Sequence, residues 1–539
     1  MSTSKVQPTI IFFLFLSVSP NLVPAKNPNS QLQVTQSRCQ GTPYPDLCIS
    51  ILASLTGLTS MSFPEIISAT LHHSTSEVRA ASTHCAVMKN HFLEKLGMLE
   101  RQALDTCLEQ FHDILEDFDH ALSYLEGSKV TTQHYYDLQS LLSGVMTNVY
   151  TCTDEFDPRT DNLNLGDSMK DRLSNVSRHV SNSLFLLTKM RGSNNPSGHG
   201  MRERFPAWMS VEDSLLVQTP TNAAKFDLVV AKDGSGNFTS INDAVAAAPD
   251  NSKTRFVIYI KEGDYSEYIT VNRTKTNLMF VGDGIGKTLI KGNRNNKDGW
   301  TAFWSATVAI EGDGFLAKGI TFGNFAGPGK GQAAAFRSRS DKSAFFQCSF
   351  LGYQDTMYVH SHRQYYRDCD VYGTIDFIFG DAAVVFQNCN LYARKPNGGS
   401  ANVFTAQGRD DPHGQTGMSF IGCKFAAAPD LAPVQSSFKT FLGRPWKDFS
   451  RTVIMESYIG DLVDPAGWKE FHGSAGLSTL FYGEYQNKGP GSNTSGRVKW
   501  PGYKVISDST VANQFTVESF IQGSQWLNDT GFPYYPGLN

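Results

Sequence analysis

Residues 332–380 read QAAAFRSRSDKSAFFQCSFLGYQDTMYVHSHRQYYRDCDVYGTIDFIFG, and three unlike residue types keep one beat within them. Gln354 follows Gln332 by 22 residues, Asp376 follows Asp355 by 21, and Cys369 follows Cys348 by 21. A period in the low twenties is the length of one turn of a parallel β-solenoid, in which residues one period apart stack on neighbouring rungs. Stacking places two amides, two carboxylates and two thiols side by side. With strands about 4.8 Å apart, the thiols suit a disulfide and the carboxylates suit a pair with split pKa values.

The beat extends outward from this stretch. An aromatic-x-x-Cys-x-apolar motif occurs at Phe345 to Phe350, Tyr366 to Val371, Phe386 to Leu391 and Phe420 to Phe425, at intervals of 21, 20 and 34. The longest interval leaves room for an inserted loop of about a dozen residues. A β-sandwich is the competing fold, but its turns recur every 8–12 residues without this longer period. Upstream, Phe226 to Val230 and Phe256 to Ile260 are strand-like, and Ile241 to Ala248 reads as one helix.

The first part of the chain has another texture. Leu104, Leu108, Phe111, Leu115, Phe118, Leu122 and Leu125 form an apolar stripe at helical spacing, as do Leu141, Val145, Met146, Val149 and Cys152, and Met169, Leu173, Val176, Val180 and Leu184. These stripes predict an antiparallel helical bundle over 37–190. Cys107 and Cys152 fall on stripes and suit a staple between helices, Cys39 and Cys48 suit a short hairpin, and Cys85 is left over. Residues 191–222 begin with turn and linker chemistry and mark a boundary, and a solenoid domain follows over 223–539. Residues 1–222 carry 16 Lys/Arg and 22 Asp/Glu, and the remainder 31 and 29, so the two parts are weakly complementary in charge.

A net charge of −4 gives no sign of nucleic-acid binding. Lys5 before the apolar run Ile10 to Val18, with small-residue positions near Ala25, reads as a secretory signal peptide over 1–25, after whose cleavage no membrane segment is expected. Asn175, Asn237, Asn272, Asn493 and Asn528 head glycosylation sequons, in keeping with export.

Stacked Asp355 and Asp376 invite acid–base chemistry: one carboxyl holds its proton while the other ionises, the second steadied by an arginine such as Arg444. Gln332 and Gln354 offer amide donors for an oxyanion, and Tyr353, Phe379, Trp446 and Trp468 offer ring faces for a sugar polymer. The same residues also have a purely structural reading, as turn aspartates, amide ladders and core aromatics.

Gly331-Gln332-Ala333, Gly352-Tyr353-Gln354-Asp355-Thr356, Asp376-Phe377-Ile378-Phe379-Gly380 and Leu442-Gly443-Arg444-Pro445-Trp446 resemble, in order and separation, the signature segments of plant pectin methylesterases. The resemblance runs from about Asp227 to Pro533. The N-terminal part, with its cysteine pattern, resembles the pectin methylesterase inhibitor domain that precedes the enzyme in many members. The resemblance implies a right-handed parallel β-helix preceded by a helical bundle, acting as an aspartyl esterase without metal or cofactor. Asp376 would be the nucleophile held ionised by Arg444, Asp355 the general acid and base, and Gln332 and Gln354 the oxyanion donors. Trp446 and Trp468 would bind the polymer, Phe379 and Tyr353 would line the groove, Thr301 would contact substrate, and Cys348 would be bridged to Cys369. Its partners would be methylesterified homogalacturonan and its own N-terminal domain or separate inhibitors, and it would act as a secreted monomer in the cell wall.

Three departures stand out. Met357 replaces the usual leucine, a near volume-conserving swap; Ala302 removes a hydroxyl expected to contact substrate; and Glu212-Asp213-Ser214-Leu215-Leu216 lacks the basic pair of a processing site, leaving Arg202 or Arg204 as alternatives. The rival readings are an inhibitory, pectin-binding wall protein with an inactive β-helix, and a pectate lyase, which needs a calcium site that no acidic cluster here compels.

Overall fold

A computed structural model describes residues 28–55, 58–127, 130–157, 161–191 and 226–538. The signal-peptide expectation and the processing region around Arg202, Arg204 and Leu215 lie outside the described residues.

Six helices come first: α1 (Pro28–Cys39), α2 (Pro45–Ser54), α3 (Phe63–His91), α4 (Met98–Leu125), α5 (Thr132–Asp154) and α6 (Leu165–Arg191). Their starts are chemically marked. Glu65 accepts a 2.7 Å hydrogen bond from the Ser62 amide at the head of α3, and Thr131 Oγ1 accepts from the His134 amide at the head of α5. Helix α3 packs on α4 and α6, and α5 packs on the same two, closing a four-helix bundle. The stripe residues Leu104, Phe111, Phe118, Val145, Leu173 and Val180 are buried together in it. Cys39–Cys48 joins α1 to α2 and Cys107–Cys152 joins α4 to α5, while Cys85 remains a buried thiol.

From Leu228 onward the chain winds through three sheets of eleven, seven and eight strands, a parallel β-helix. The 21-residue beat is its register: Phe336 pairs with Met357, and Met357 with Ile378. The motif aromatics form one column, with Phe345 on Tyr366, Tyr366 on Phe386 and Phe386 on Phe420 at centroid spacings of 4.6, 4.8 and 4.9 Å. Such spacings are those of the strands themselves. The residue before each motif cysteine turns the corner with a left-handed backbone: Gln347, Asp368, Asn388 and Gly422 have φ of 52°, 50°, 58° and 62°.

The expected Cys348–Cys369 disulfide does not form, and both residues are buried free thiols. Strand spacing of about 4.8 Å holds stacked Cβ atoms beyond the usual disulfide Cβ separation of about 3.8 Å. Each sulfur instead hydrogen-bonds the backbone: Cys369 Sγ to the Phe345 carbonyl at 3.5 Å, Cys389 Sγ to Tyr366 at 3.4 Å and Cys423 Sγ to Phe386 at 3.3 Å.

Asn175, Asn237, Asn272 and Asn493 are exposed. Asn528 is half-buried, and its Nδ2, where a glycan would attach, donates to the Ser524 carbonyl at 2.6 Å.

Candidate active site

Every expected catalytic group lies on or beside the seven-stranded sheet, just outside its strands. Gln332 precedes Phe336–Ser338, Asp355 precedes Met357–Val359, Asp376 precedes Ile378–Gly380, and Arg444 follows Thr440–Gly443. Asp355 and Asp376 sit two residues before the paired positions Met357 and Ile378, so the register stacks them. Both take left-handed backbone, with φ of 59° and 49°, a conformation Asp tolerates better than most residues. Along these strands the side chains alternate. Met357 and Ile378 point into the solenoid core, whereas Tyr358 and Phe379 pack outside it with Ala406, Phe303 and Trp446.

The outward face carries a cavity of about 370 Å³ with Gln332, Asp355, Asp376, Phe379 and Trp446 in its wall. Arg444 grips Asp376 with two hydrogen bonds, Nε to Oδ1 at 2.8 Å and Nη2 to Oδ2 at 2.5 Å, a bidentate pairing. Burial and the neighbouring Asp376 charge push the Asp355 carboxyl well above its ordinary value, opposed by a hydrogen bond from Gln332 and by Arg444. Burial also leaves Asp376 above its ordinary value, but less far, because Arg444 and then Lys469 oppose it. The stack therefore splits, with the proton on Asp355 and the negative charge on Asp376.

Not every expected residue reaches the cavity. Gln354 and Tyr353 are not in its wall, and Arg394 covers the Tyr353 ring at 3.9 Å while donating to its hydroxyl at 2.7 Å. Trp468, expected to bind polymer, is 1% exposed and packs on Tyr482 at 4.3 Å. Its Nε1 donates to Glu484, a carboxylate also held by Arg497. It works from below: Trp468 bridges to Gly443, where a Cβ would meet its ring at 3.0 Å, so the ring braces the backbone next to Arg444.

The other wall of the cavity was not foreseeable from local spacing. Leu99, Thr151, Asp154, Glu155, Phe156 and Asp157 all come from the helical bundle, chiefly from the end of α5 and the turn after it. Phe471 also lines the cavity, and the Arg444 guanidinium lies 4.2 Å from its ring centroid. Thr301, an expected substrate contact, donates its hydroxyl to Glu155, and its amide donates to Gln102 Oε1 at 3.1 Å. Burial pushes the Glu155 carboxyl up to about 7, with the Thr301 hydrogen bond and Arg337 opposing.

The bundle is held there by charge. Arg273 donates to Asp113 and Asp117 at 3.1 and 2.8 Å, Arg339 pairs with Asp113, Arg363 donates to Asp137 at 2.6 Å, and Lys447 donates to Asp154 at 2.8 Å. Gly144 lets α5 approach closely, since a Cβ there would lie 2.5 Å from the His362 ring. The loop inserted in the long rung reaches the bundle as well: Ser181 donates to Asp411, and the Gln415 amide donates to Ser143 at 3.0 Å.

Comparison with known proteins matches this division. Residues 227–524 match the pectinesterase family, and residues 33–186 match the plant invertase/pectin methylesterase inhibitor family. The chain is 48% identical over 483 residues to probable pectinesterase/pectinesterase inhibitor 39 of Arabidopsis thaliana, covering 88% of this chain and 90% of that one. It is 45% identical to pectinesterase 1 of Citrus sinensis, over 94% and 88% of the two chains. Among solved structures, pectin methylesterase from carrot superposes with a TM-score of 0.58 at 54% identity, over 58% of this chain and 98% of that one.

Proposed function

The chain belongs to the pectinesterase family and joins that enzyme to an N-terminal inhibitor-family domain, and on that premise we propose that Asp376, Asp355 and Gln332 carry out the hydrolysis beneath a domain docked to silence them. The observation that carries this reading is the asymmetric pair: one buried carboxylate gripped by Arg444, its stacked neighbour kept protonated.

The chemistry follows from that asymmetry. The Asp376 carboxylate attacks the carbonyl carbon of a galacturonate methyl ester, and Gln332 donates to the oxyanion of the tetrahedral intermediate. Collapse breaks the bond to methoxide, which takes the Asp355 proton and leaves as methanol. The acyl group now sits on Asp376 as an anhydride. Ionised Asp355 then removes a proton from water as it attacks this anhydride, releasing the free galacturonate and restoring both carboxyls. Trp446 and Phe379 supply ring faces for the sugars, while Gln354 joins the oxyanion site only after a side-chain rearrangement. Trp468 acts as a brace and not as a polymer contact.

The end of α5 takes the place of the polymer. Glu155 holds the Thr301 hydroxyl, and Asp154, Phe156 and Asp157 wall the cavity that a chain of sugars must cross. Among the described residues, no helix is long and apolar enough to cross a membrane; we place the protein, as a monomer, in the cell wall, where its substrate lies. The test is methanol release from highly methylated pectin by residues 223–539 and by the chain from residue 26 onward. The shorter chain is a reasonable unit, since carrot pectin methylesterase superposes over 98% of its length on 58% of this chain. An active short form and a silent long form are expected. Equal activity would remove the inhibitory role, and silence from a folded short form would remove the catalytic assignment.

A further inference from the structure

Away from the cavity, the seam between α3 and α6 contains a group of side chains that hydrogen bonding does not account for, in which the His73 and His179 rings meet edge to face at 5.3 Å between centroids. His73 and Glu77 are four residues apart on α3 and so share one face of that helix. His179 enters from α6, between the fully buried Val176 and Val180, and is itself 1% exposed. Neither ring nitrogen of His179 has a hydrogen-bond partner, and neither does Oε2 of Glu77. A buried imidazole without a hydrogen bond is costly, because it has lost water and has only the Glu77 carboxylate at 3.5 Å and the edge-on His73 ring in return.

We infer that His73, Glu77 and His179 form a binding site for a divalent transition-metal ion, with zinc the fitting ion, that ties α3 to α6. The separations are those of metal ligands. His179 Nε2 lies 3.5 Å from Glu77 Oε2, His73 Nε2 lies 3.7 Å from Glu77 Oε1, and one donor atom from each residue falls within 4.8 Å of the others. Bonds of about 2.0–2.1 Å around a tetrahedral zinc put neighbouring ligand atoms about 3.4 Å apart, so each imidazole already stands near that distance from one Glu77 oxygen, and a closing of up to about 1.4 Å brings one donor atom from each residue together. Two imidazoles and one carboxylate favour zinc or copper over calcium or magnesium, which prefer oxygen alone. His73 is half-exposed, which leaves a fourth position open to water. His179 Nδ1 has no acceptor behind it; zinc ligands normally have one, and its lack weakens binding by about 10- to 100-fold.

The second group of metal-capable side chains among the described residues, His112, Asp113 and Glu116, differs in this respect. Arg273 already holds both of its carboxylates, and Arg339 also pairs with Asp113. Neighbouring His72 is likewise engaged, by Glu126 at 2.8 Å.

The test is calorimetric titration of the metal-stripped chain, from residue 26 onward, with zinc chloride at about pH 7.5. One equivalent is expected to bind and to raise the melting temperature. His73→Ala, at a half-exposed position, is expected to weaken binding at least ~10-fold and to abolish the thermal shift with the far-UV spectrum unchanged. Glu77→Gln is expected to do the same, and His72→Ala to change neither. Cobalt in place of zinc is expected to give visible d–d absorption in the wild type and none in His73→Ala. Zinc uptake no stronger in the wild type than in His73→Ala, or lost on His72→Ala instead, would overturn the site.

Discussion

Asp355 with Asp376, and Asp113 with Asp117, are both pairs of buried carboxylates set against arginine, yet they are built for opposite ends. In the first pair Arg444 binds one member only, so the two carboxyls differ, and both face the cavity. In the second, Arg273 and Arg339 reach across both members, and the contact between bundle and solenoid buries Asp113, Asp117 and Arg339 and half-buries Arg273. Burial raises Asp113 against the pull of Arg339 and Arg273. It also acts on Asp117, where Arg273, His362 and Arg339 overcome it and hold the carboxyl below its usual value. Perturbed carboxyls alone therefore do not mark a catalytic site. What sets the proposed catalytic pair apart is access to the cavity.

The comparison breaks most visibly at Asp376. Asp376→Ala in residues 223–539 is expected to lower methanol release by ~10⁴-fold or more with the fold intact, and near-normal turnover would assign the nucleophile elsewhere. Arg444→Ala removes the source of asymmetry. Without the guanidinium, Asp376 ionises only at higher pH, so the loss, about 10²- to 10³-fold, is expected to be greatest in mild acid and to shrink as pH rises. A pH profile of kcat checks this, and a uniform loss would leave Arg444 with placement alone.

On the other side of the comparison, Asp113→Ala with Asp117→Ala leaves buried Arg339 without its carboxylates and Arg273 with Glu116 alone, and is expected to cost docking about 3–5 kcal/mol. Full-length protein should then release methanol, whereas residues 223–539, which lack both aspartates, cannot be affected. Gly144→Leu reports the same event sterically, by meeting His362. The smallest effect expected is that of pH on docking. Glu155 is raised by burial to about 7 when docked, against about 4.3 for a free glutamate. The docked form thus binds the proton more tightly. Its contribution is complete below the free value and is lost as pH rises through about 7. Burial likewise raises Glu109, beside Arg337 and Glu311. Full-length activity relative to the short form should therefore climb from about pH 4.3 and level off between about 7 and 8, and Glu155→Gln should flatten part of that climb.

Much of this architecture is legible in the spacing of like residues. The 21-residue beat became the register of the seven-stranded sheet, and the motif aromatics became a stacked column. The helical stripes became the bundle core, and the two N-terminal cysteine pairs closed as expected. What the spacing could not convey is how close stacked residues come or which way they face. Cys348 and Cys369 stack but remain thiols, and Trp468 sits beneath Arg444 instead of beside the polymer. The bundle wall of the cavity was also hidden, because Glu155 meets Thr301 only when two domains touch. The sole sequence hint was the charge difference between the two parts, realised as the pairs from Arg273, Arg339, Arg363 and Lys447.

The contacts between bundle and solenoid join residues far apart along the chain: Asp113 lies 160 positions before Arg273, and Asp154 lies 293 before Lys447. Synthesis gives that distance a duration. At about 5–20 residues per second, the bundle leaves the ribosome tens of seconds before the last rung is made. Helical bundles, rich in local contacts, fold in microseconds to milliseconds. The bundle surface that walls the cavity is thus finished before Asp355 and Asp376 exist as a pair, and the nascent solenoid can assemble each rung against a partner already waiting.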